Sequence, residues 1–151
     1  MITYLSLGTN LGDKSLNLLK AITIIAGRIG SLSAISSVYE TEPWGYASSN
    51  SYLNMAIAVE TNLSIEDLLN ETQKIEKELG RETKTTGSYQ DRPIDIDIIL
   101  YGDLIYQTEK LNIPHPLFHK RDFVLKPLSE IAPNLIEPKS KKTINTLLRE
   151  L

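Results

Sequence analysis

The stretch Ile94-Asp95-Ile96-Asp97-Ile98-Ile99-Leu100-Tyr101 decides the fold of this chain. Isoleucine at alternate positions marks a β-strand with one apolar face, because successive side chains on a strand point to opposite sides. Ile94, Ile96, Ile98 and Leu100 then face a core, while Asp95 and Asp97 share the other side. The two carboxylates lie roughly 6 to 7 Å apart at their α-carbons. That separation suits one or two hard divalent cations, and Mg2+ characteristically takes a couple of carboxylates together with phosphate oxygens. A half-exposed strand carrying two solvated acids is the plainer reading. Against it, aspartate is a poor strand former, and like charges on one face repel unless a metal or a basic group lies nearby.

Upstream of this strand, residues 81–91 are polar, without apolar periodicity, and contain Gly87, which predicts a loop feeding straight into the strand. Before that loop, Ser64 with Asp67 three residues on is a capping-box variant that opens a helix closed by Gly80. Ile65, Leu68, Leu69, Ile75 and Leu79 form its apolar stripe, with Glu76 inside the stripe and Gln73 at its edge. A carboxylate on the buried side either reaches around into water near the helix end or has a function. Further back, Leu53, Met55, Ile57 and Val59 alternate with Tyr52, Asn54, Ala56 and Ala58, the pattern of another one-faced strand. A loop over 42–50 precedes it, and a strand is expected from about Leu32 to Thr41.

The N-terminal part predicts a strand over 3–7, a turn at Gly8-Thr9-Asn10-Leu11-Gly12, and a helix capped by Asp13. Leu18, Ile22, Ile25 and Ile29 stand at helical spacing, and Gly30 is expected to stop that helix. After Tyr101 the chain turns irregular around Pro114-His115-Pro116. Apolar packing follows from 123 to 131, then a short helix over 143–151. Strand, helix, strand, strand, helix, strand is the ferredoxin-like βαββαβ order of an α+β fold, with helices on one face of an antiparallel sheet and here an extra C-terminal tail. Tyr52, Asn54, Asp95 and Asp97 would then share the opposite, uncovered face.

Composition narrows the chemistry. A chain of 151 residues fits one domain, 1–151, able to bury a core unaided. With no cysteine, thiol catalysis, zinc-thiolate centres and iron–sulfur clusters are excluded. The N-terminus does not read as a signal peptide and no apolar run is long enough to span a bilayer, so the expected location is cytoplasmic. A net charge of −3 argues against a nucleic-acid coat. Residues 8–15 approach a Walker A loop, with Gly8, Lys14 and Ser15 in place, but Asp13 stands where glycine is needed and would face the phosphates. A P-loop kinase stays open as an alternative. So does a binding module that holds a nucleotide or small ligand without turnover. Arg92 and Arg121, each unremarkable alone, suggest a polyphosphate when set near an acid pair able to hold Mg2+.

Eight stretches together resemble a known family: 7–12, Thr41-Glu42-Pro43-Trp44-Gly45, Tyr52-Leu53-Asn54, Gln73-Lys74-Ile75-Glu76, Gly80-Arg81, 92–98, Pro114-His115-Pro116 and 121–128. The likeness is to the 6-hydroxymethyl-7,8-dihydropterin pyrophosphokinases of folate biosynthesis and runs nearly end to end. It implies an enzyme that moves the terminal diphosphate of ATP onto the pterin hydroxymethyl group and releases AMP, acting as a monomer on small molecules, with no nucleic acid or membrane partner. Asp95 and Asp97 carry over as ligands of two Mg2+ ions, and Arg81 and Arg92 as groups that assist the transfer. Tyr52 and Phe123 carry over as faces for the pterin, with Asn54, Asp95, Thr41, Pro43 and Trp44 around its edge. Gln73, Glu76, Arg92, Ile98, His115 and Arg121 would contact ATP. Between Arg81 and Arg92 the chain departs from the family pattern. Lys84 stands near the place of a second arginine and Tyr89 near that of a tryptophan, and lysine does not reproduce a planar two-pronged contact.

Overall fold

The computed structural model describes residues 1–42, 51–80 and 93–151. Strand β1 (Ile2–Thr9) lies inside an antiparallel sheet, with Thr3, Leu5, Leu7 and Thr9 wholly buried on one face. Helix α1 (Lys14–Arg28) follows; the Asp13 carboxylate accepts the Leu16 N–H, and Leu18, Ala21 and Ile25 pack down onto the sheet. Strands β2 (Gly30–Ile35) and β3 (Tyr39–Thr41) both pair with β4 (Tyr52–Thr61). Helix α2 (Ile65–Glu78) starts where the Ser64 hydroxyl accepts the Asp67 N–H, and it ends at Gly80 with a φ of 102°. Strand β5 (Asp95–Tyr101) completes the order β2-β4-β1-β5, in which every neighbour is antiparallel. A two-stranded ribbon, β6 (Tyr106–Gln107) with β7 (Asn112–Ile113), leads to a single 3-10 turn at Phe118–Lys120. The helices α3 (Asp122–Ile131) and α4 (Ile144–Arg149) come last.

Two apolar clusters hold these layers together. The larger joins Leu5, Leu7, Ile57, Val59, Ile96 and Ile98 of the sheet to Ile25 of α1 and Leu68 and Ile75 of α2. The smaller lies on the opposite face, where Val124, Leu125 and Leu128 of α3 and Leu147 of α4 meet Ala56, Ile99 and Leu100. Each fully buried Leu or Ile contributes about 1.5–3 kcal/mol, so both layers are stabilised chiefly by burial.

Four expectations are corrected here. The face opposite α1 and α2 is not left open, because α3 covers the part where β4 carries only Ala56; small side chains let a helix approach. Leu100 does not join the isoleucine face: the register between β1 and β5 shifts between Tyr4 and Leu5, so Ile99 is an extra residue and the alternation changes phase. Gly30 does not end α1 by a left-handed turn but opens β2, where a Cβ would lie 1.9 Å from the Glu60 carbonyl oxygen. The strand expected over 32–41 is two strands, parted where Ser36 bonds Ala56 through both its N–H and its hydroxyl.

Candidate active site

The uncovered part of the second sheet face forms a pocket. Ser6 and Gly8 of β1 make its floor, Asp95 and Asp97 of β5 one side, and Tyr52 and Asn54 of β4 with Thr41 of β3 the other. Arg121 and Phe123, at the start of α3, close the end, and Glu42 stands at the rim. Period-two alternation is what gathers these groups: Gly8 pairs with both Asn54 and Asp95, and Ser6 with Asp97. Gly8 has a steric reason to lack a side chain, since a Cβ there would sit 3.1 Å from Asn54 Oδ1 and 3.6 Å from the Tyr52 ring. Asn54 is buried to 4% exposure, and its amide donates to the Thr41 hydroxyl at 2.8 Å. Arg121 is 6% exposed, with its guanidinium carbon 5.7 Å from the Phe123 ring centroid. Burial pushes the Arg121 guanidinium below the usual arginine value, yet arginine keeps its charge. A buried cation and two half-buried carboxylates therefore line one small cavity.

A second pocket lies over the outer edge of β5. Gln73 and Glu76 of α2, Ile98 of β5 and His115 line it, joined by Leu69, Thr72, Leu111 and Asn112. Glu76 does not reach into water: it is 6% exposed, and its carboxylate accepts the Ile96 N–H at 2.8 Å, between the two aspartates. The backbone of His115 donates to the Ile99 carbonyl at 3.0 Å, and its Nδ1 accepts the Leu117 N–H at 3.3 Å, so the imidazole is anchored beside β5. Asp97 belongs to both pockets.

The residues singled out from sequence thus divide into groups. Thr41, Tyr52, Asn54, Asp95, Asp97, Arg121 and Phe123 come together in the first pocket. Gln73, Glu76, Ile98 and His115 come together with Asp97 in the second, and Arg121, expected among them, lines the first pocket instead. Pro43, Trp44, Arg81, Lys84, Tyr89 and Arg92 lie outside the described residues. Ser6, Gly8 and Glu42 were missed, as were Leu69, Thr72, Leu111 and Asn112. Ser6 and Gly8 were legible in principle, as small residues alternating with Leu5 and Leu7. Leu111 and Asn112 depend on how the β6–β7 ribbon folds back, which no local pattern announces.

Among the described residues no group of three or more His, Cys, Asp or Glu side chains could hold a metal ion alone. Two adjacent carboxylates and nothing more is nonetheless the protein share that Mg2+ uses when phosphate and water supply the rest. Fold and pockets together define a class: a small α+β protein with paired acids between two cavities. Residues 4–133 match the family described as 7,8-dihydro-6-hydroxymethylpterin-pyrophosphokinase. A 2-amino-4-hydroxy-6-hydroxymethyldihydropteridine pyrophosphokinase of Porphyromonas gingivalis is 48% identical over 136 residues, 87% of this chain and 91% of that protein. A protein of the same name from Aquifex aeolicus is 41% identical over 141 residues, 93% of this chain and 86% of that one. The chain belongs to the 7,8-dihydro-6-hydroxymethylpterin-pyrophosphokinase family. Its fold also matches a Plasmodium falciparum HPPK-DHPS crystal structure, with a TM-score of 0.80 at 17% identity over 99% of this chain. This chain spans 41% of that bifunctional one.

Proposed function

We propose that this chain transfers diphosphate from ATP to the hydroxymethyl group of 6-hydroxymethyl-7,8-dihydropterin and releases AMP, a step of folate biosynthesis. Family membership supports the reaction. The observation that carries the assignment of sites is that Asp97 lines both pockets, so two ligands seated in them meet at a carboxylate. In this reading the first pocket takes the pterin, its flat ring against Tyr52 and Phe123 and its polar edge toward Asn54, Thr41 and Asp95. The second takes ATP along Gln73, Glu76, Ile98 and His115. Pro43 and Trp44 are assigned to the pterin, Lys84 and Tyr89 to ATP, and Arg81 and Arg92 to the transfer itself, on resemblance alone.

The new bond joins the pterin hydroxyl oxygen to the β-phosphorus; the bond that breaks links that phosphorus to the oxygen AMP retains, and the hydroxyl proton leaves to solvent. Bound at Asp95 and Asp97, two Mg2+ ions would neutralise phosphate charge and make the hydroxyl easier to deprotonate. The chain's own share is positional and electrostatic. Asp95 and Asp97 supply the only charges on β5, Arg121 places a fixed cation at the closed end, and the aromatic faces hold the hydroxymethyl arm toward the second pocket. No side chain need form a covalent intermediate.

We further assign a single pyrophosphokinase domain over 1–151 with the ferredoxin-like topology, acting as a cytoplasmic monomer. The antiparallel order β2-β4-β1-β5 supports that topology, and no described helix is long and apolar enough to cross a membrane. One assay tests the reaction: protein, ATP and Mg2+ with and without the hydroxymethyl dihydropterin, nucleotides then resolved. Pterin-dependent AMP is the expected outcome. ADP would point to an ordinary kinase, and unchanged ATP to a binding module.

A further inference from the structure

Glu130 takes no part in either pocket, yet its carboxylate is the most heavily hydrogen-bonded acid described outside them. It stands on the last turn of α3 and accepts the Ser37 N–H at 3.1 and 3.0 Å, one to each oxygen. The Ser37 hydroxyl donates to it at 3.0 Å and the Tyr39 hydroxyl at 2.6 Å. These donors belong to the short stretch between β2 and β3 and to β3 itself, more than ninety residues away in sequence.

The contact joins two walls of the first pocket from behind. Tyr39 is paired with Asn54 and Thr41 with Tyr52, and the Asn54 amide donates to the Thr41 hydroxyl. Strand β3 is three residues long and, among the described residues, pairs with β4 alone, so few described backbone bonds hold it. At the other end of α3, Phe123 and Arg121 close the pocket. Glu130 and Phe123 are seven residues apart on one helix, roughly 10 Å along its axis. Val124, Leu125 and Leu128 pack that helix onto the sheet, and Glu130 adds a tie from its last turn to β3. Fixing the far end to β3 fixes the width between Thr41 and Phe123.

We propose that Glu130, through Ser37 and Tyr39, is a positioning residue for the pterin pocket, holding strand β3 and helix α3 at the separation a flat bicyclic ring requires. It touches neither substrate. Hydrogen bonding from Tyr39 and then Ser37 holds its carboxyl below the usual glutamate range, so the clamp is charged at neutral pH. The counterpart effect raises the Tyr39 hydroxyl above its ordinary value, first through its bond to Glu130, and keeps it a donor.

The inference rests on the pterin reading of the first pocket for its functional part, whereas the clamp itself is testable without substrate. Glu130→Ala and Tyr39→Phe are compared with the parent chain by amide hydrogen exchange and by ligand titration. Exchange at 39–41 should quicken by roughly tenfold in Glu130→Ala, the scale of one lost charged hydrogen bond, while the central amides of β4 and β1 hold their protection. Unchanged protection at 39–41 would overturn the clamp whatever the substrate proves to be. With nucleotide saturating, the pterin dissociation constant should rise by about fivefold or more and that of ATP by less than about twofold, from the same loss. Glu130→Gln, which keeps one acceptor oxygen for Tyr39, should recover part of the pterin affinity. Equal weakening of both ligands in a folded variant would show a general disturbance and overturn the positioning role. A clamp confirmed by exchange in a chain that binds no pterin would instead refute the pterin reading and leave the clamp standing.

Discussion

Asp97 is the residue on which two cavities converge, and its neighbours explain how it can be there. Among the described residues strand β5 is the outer strand of the sheet, so one row of its backbone groups has no neighbouring strand among them. At Ile96 that lack is met by the buried Glu76 carboxylate, which fixes the strand between its two acids. Asp97→Ala should therefore abolish pterin-dependent AMP formation, a loss of at least about a thousandfold if it removes charge stabilisation in the transition state. Its side chain is half-buried and outside both apolar clusters, so circular dichroism and the melting curve should stay close to the parent's. A folded Asp97→Ala chain with near-normal turnover would falsify the two-metal assignment. The acids were legible because strand period and residue type agree at Asp95 and Asp97. Glu76 was legible only as an anomaly in a helical stripe; that its partner is a backbone N–H became visible once β5 was placed beside α2.

At the scale of elements, the C-terminal segment shows both what periodicity reveals and what it hides. Helix α3 carries Pro127 in its sixth position and follows two prolines around His115, so breaker residues masked a helix that burial makes stable. The chain between α3 and α4 is held by Glu137, a buried carboxylate that accepts the N–H groups of Lys139 and Ser140 at 2.9 and 2.6 Å. Desolvation by burial raises its carboxyl, but the bonds from Ser140 and Lys139 outweigh this and hold it below the usual glutamate value. A carboxyl whose folded value is depressed stabilises the fold at pH above its unfolded value near 4.3 and loses that contribution as pH falls through the folded value. Glu137→Gln should accordingly cost about 1 kcal/mol near pH 7 and progressively less below about pH 4. Urea unfolding of both chains across that range measures it, and a cost independent of pH would refute the charge argument. Gly30 is the reverse case, read as a helix stop because glycine usually is one there, whereas its true constraint is the Glu60 carbonyl in another strand.

For the whole molecule, the proposed site and the apolar clusters occupy different parts of the described structure. The two apolar clusters contain no pocket acid, and the described residues hold no metal-binding group of three or more side chains. Chelation of divalent ions should therefore stop AMP formation completely and leave the melting temperature of the ligand-free chain within about 1 °C, since only ligands bound to the native state raise it. A drop of several degrees would reveal a structural ion. The antiparallel sheet with two helices packed on it was legible because β1, β4 and β5 carry an alternating pattern and α1 and α2 carry a helical stripe and a side-chain cap. The second layer was not, because its sheet side is made by alanine and by a change of phase at Ile99 rather than by a repeating pattern.

That extra residue in β5 works as a phase shifter along a single strand. Before it, odd-numbered positions face the open pocket and carry charge; after it, Leu100 turns to the same side and seals the layer beneath α3. One inserted residue thus sets where solvent stops. The boundary between wet chemistry and dry packing is written into β5 itself, so substitutions in the C-terminal helices can retune the dry side while the two carboxylates keep their register.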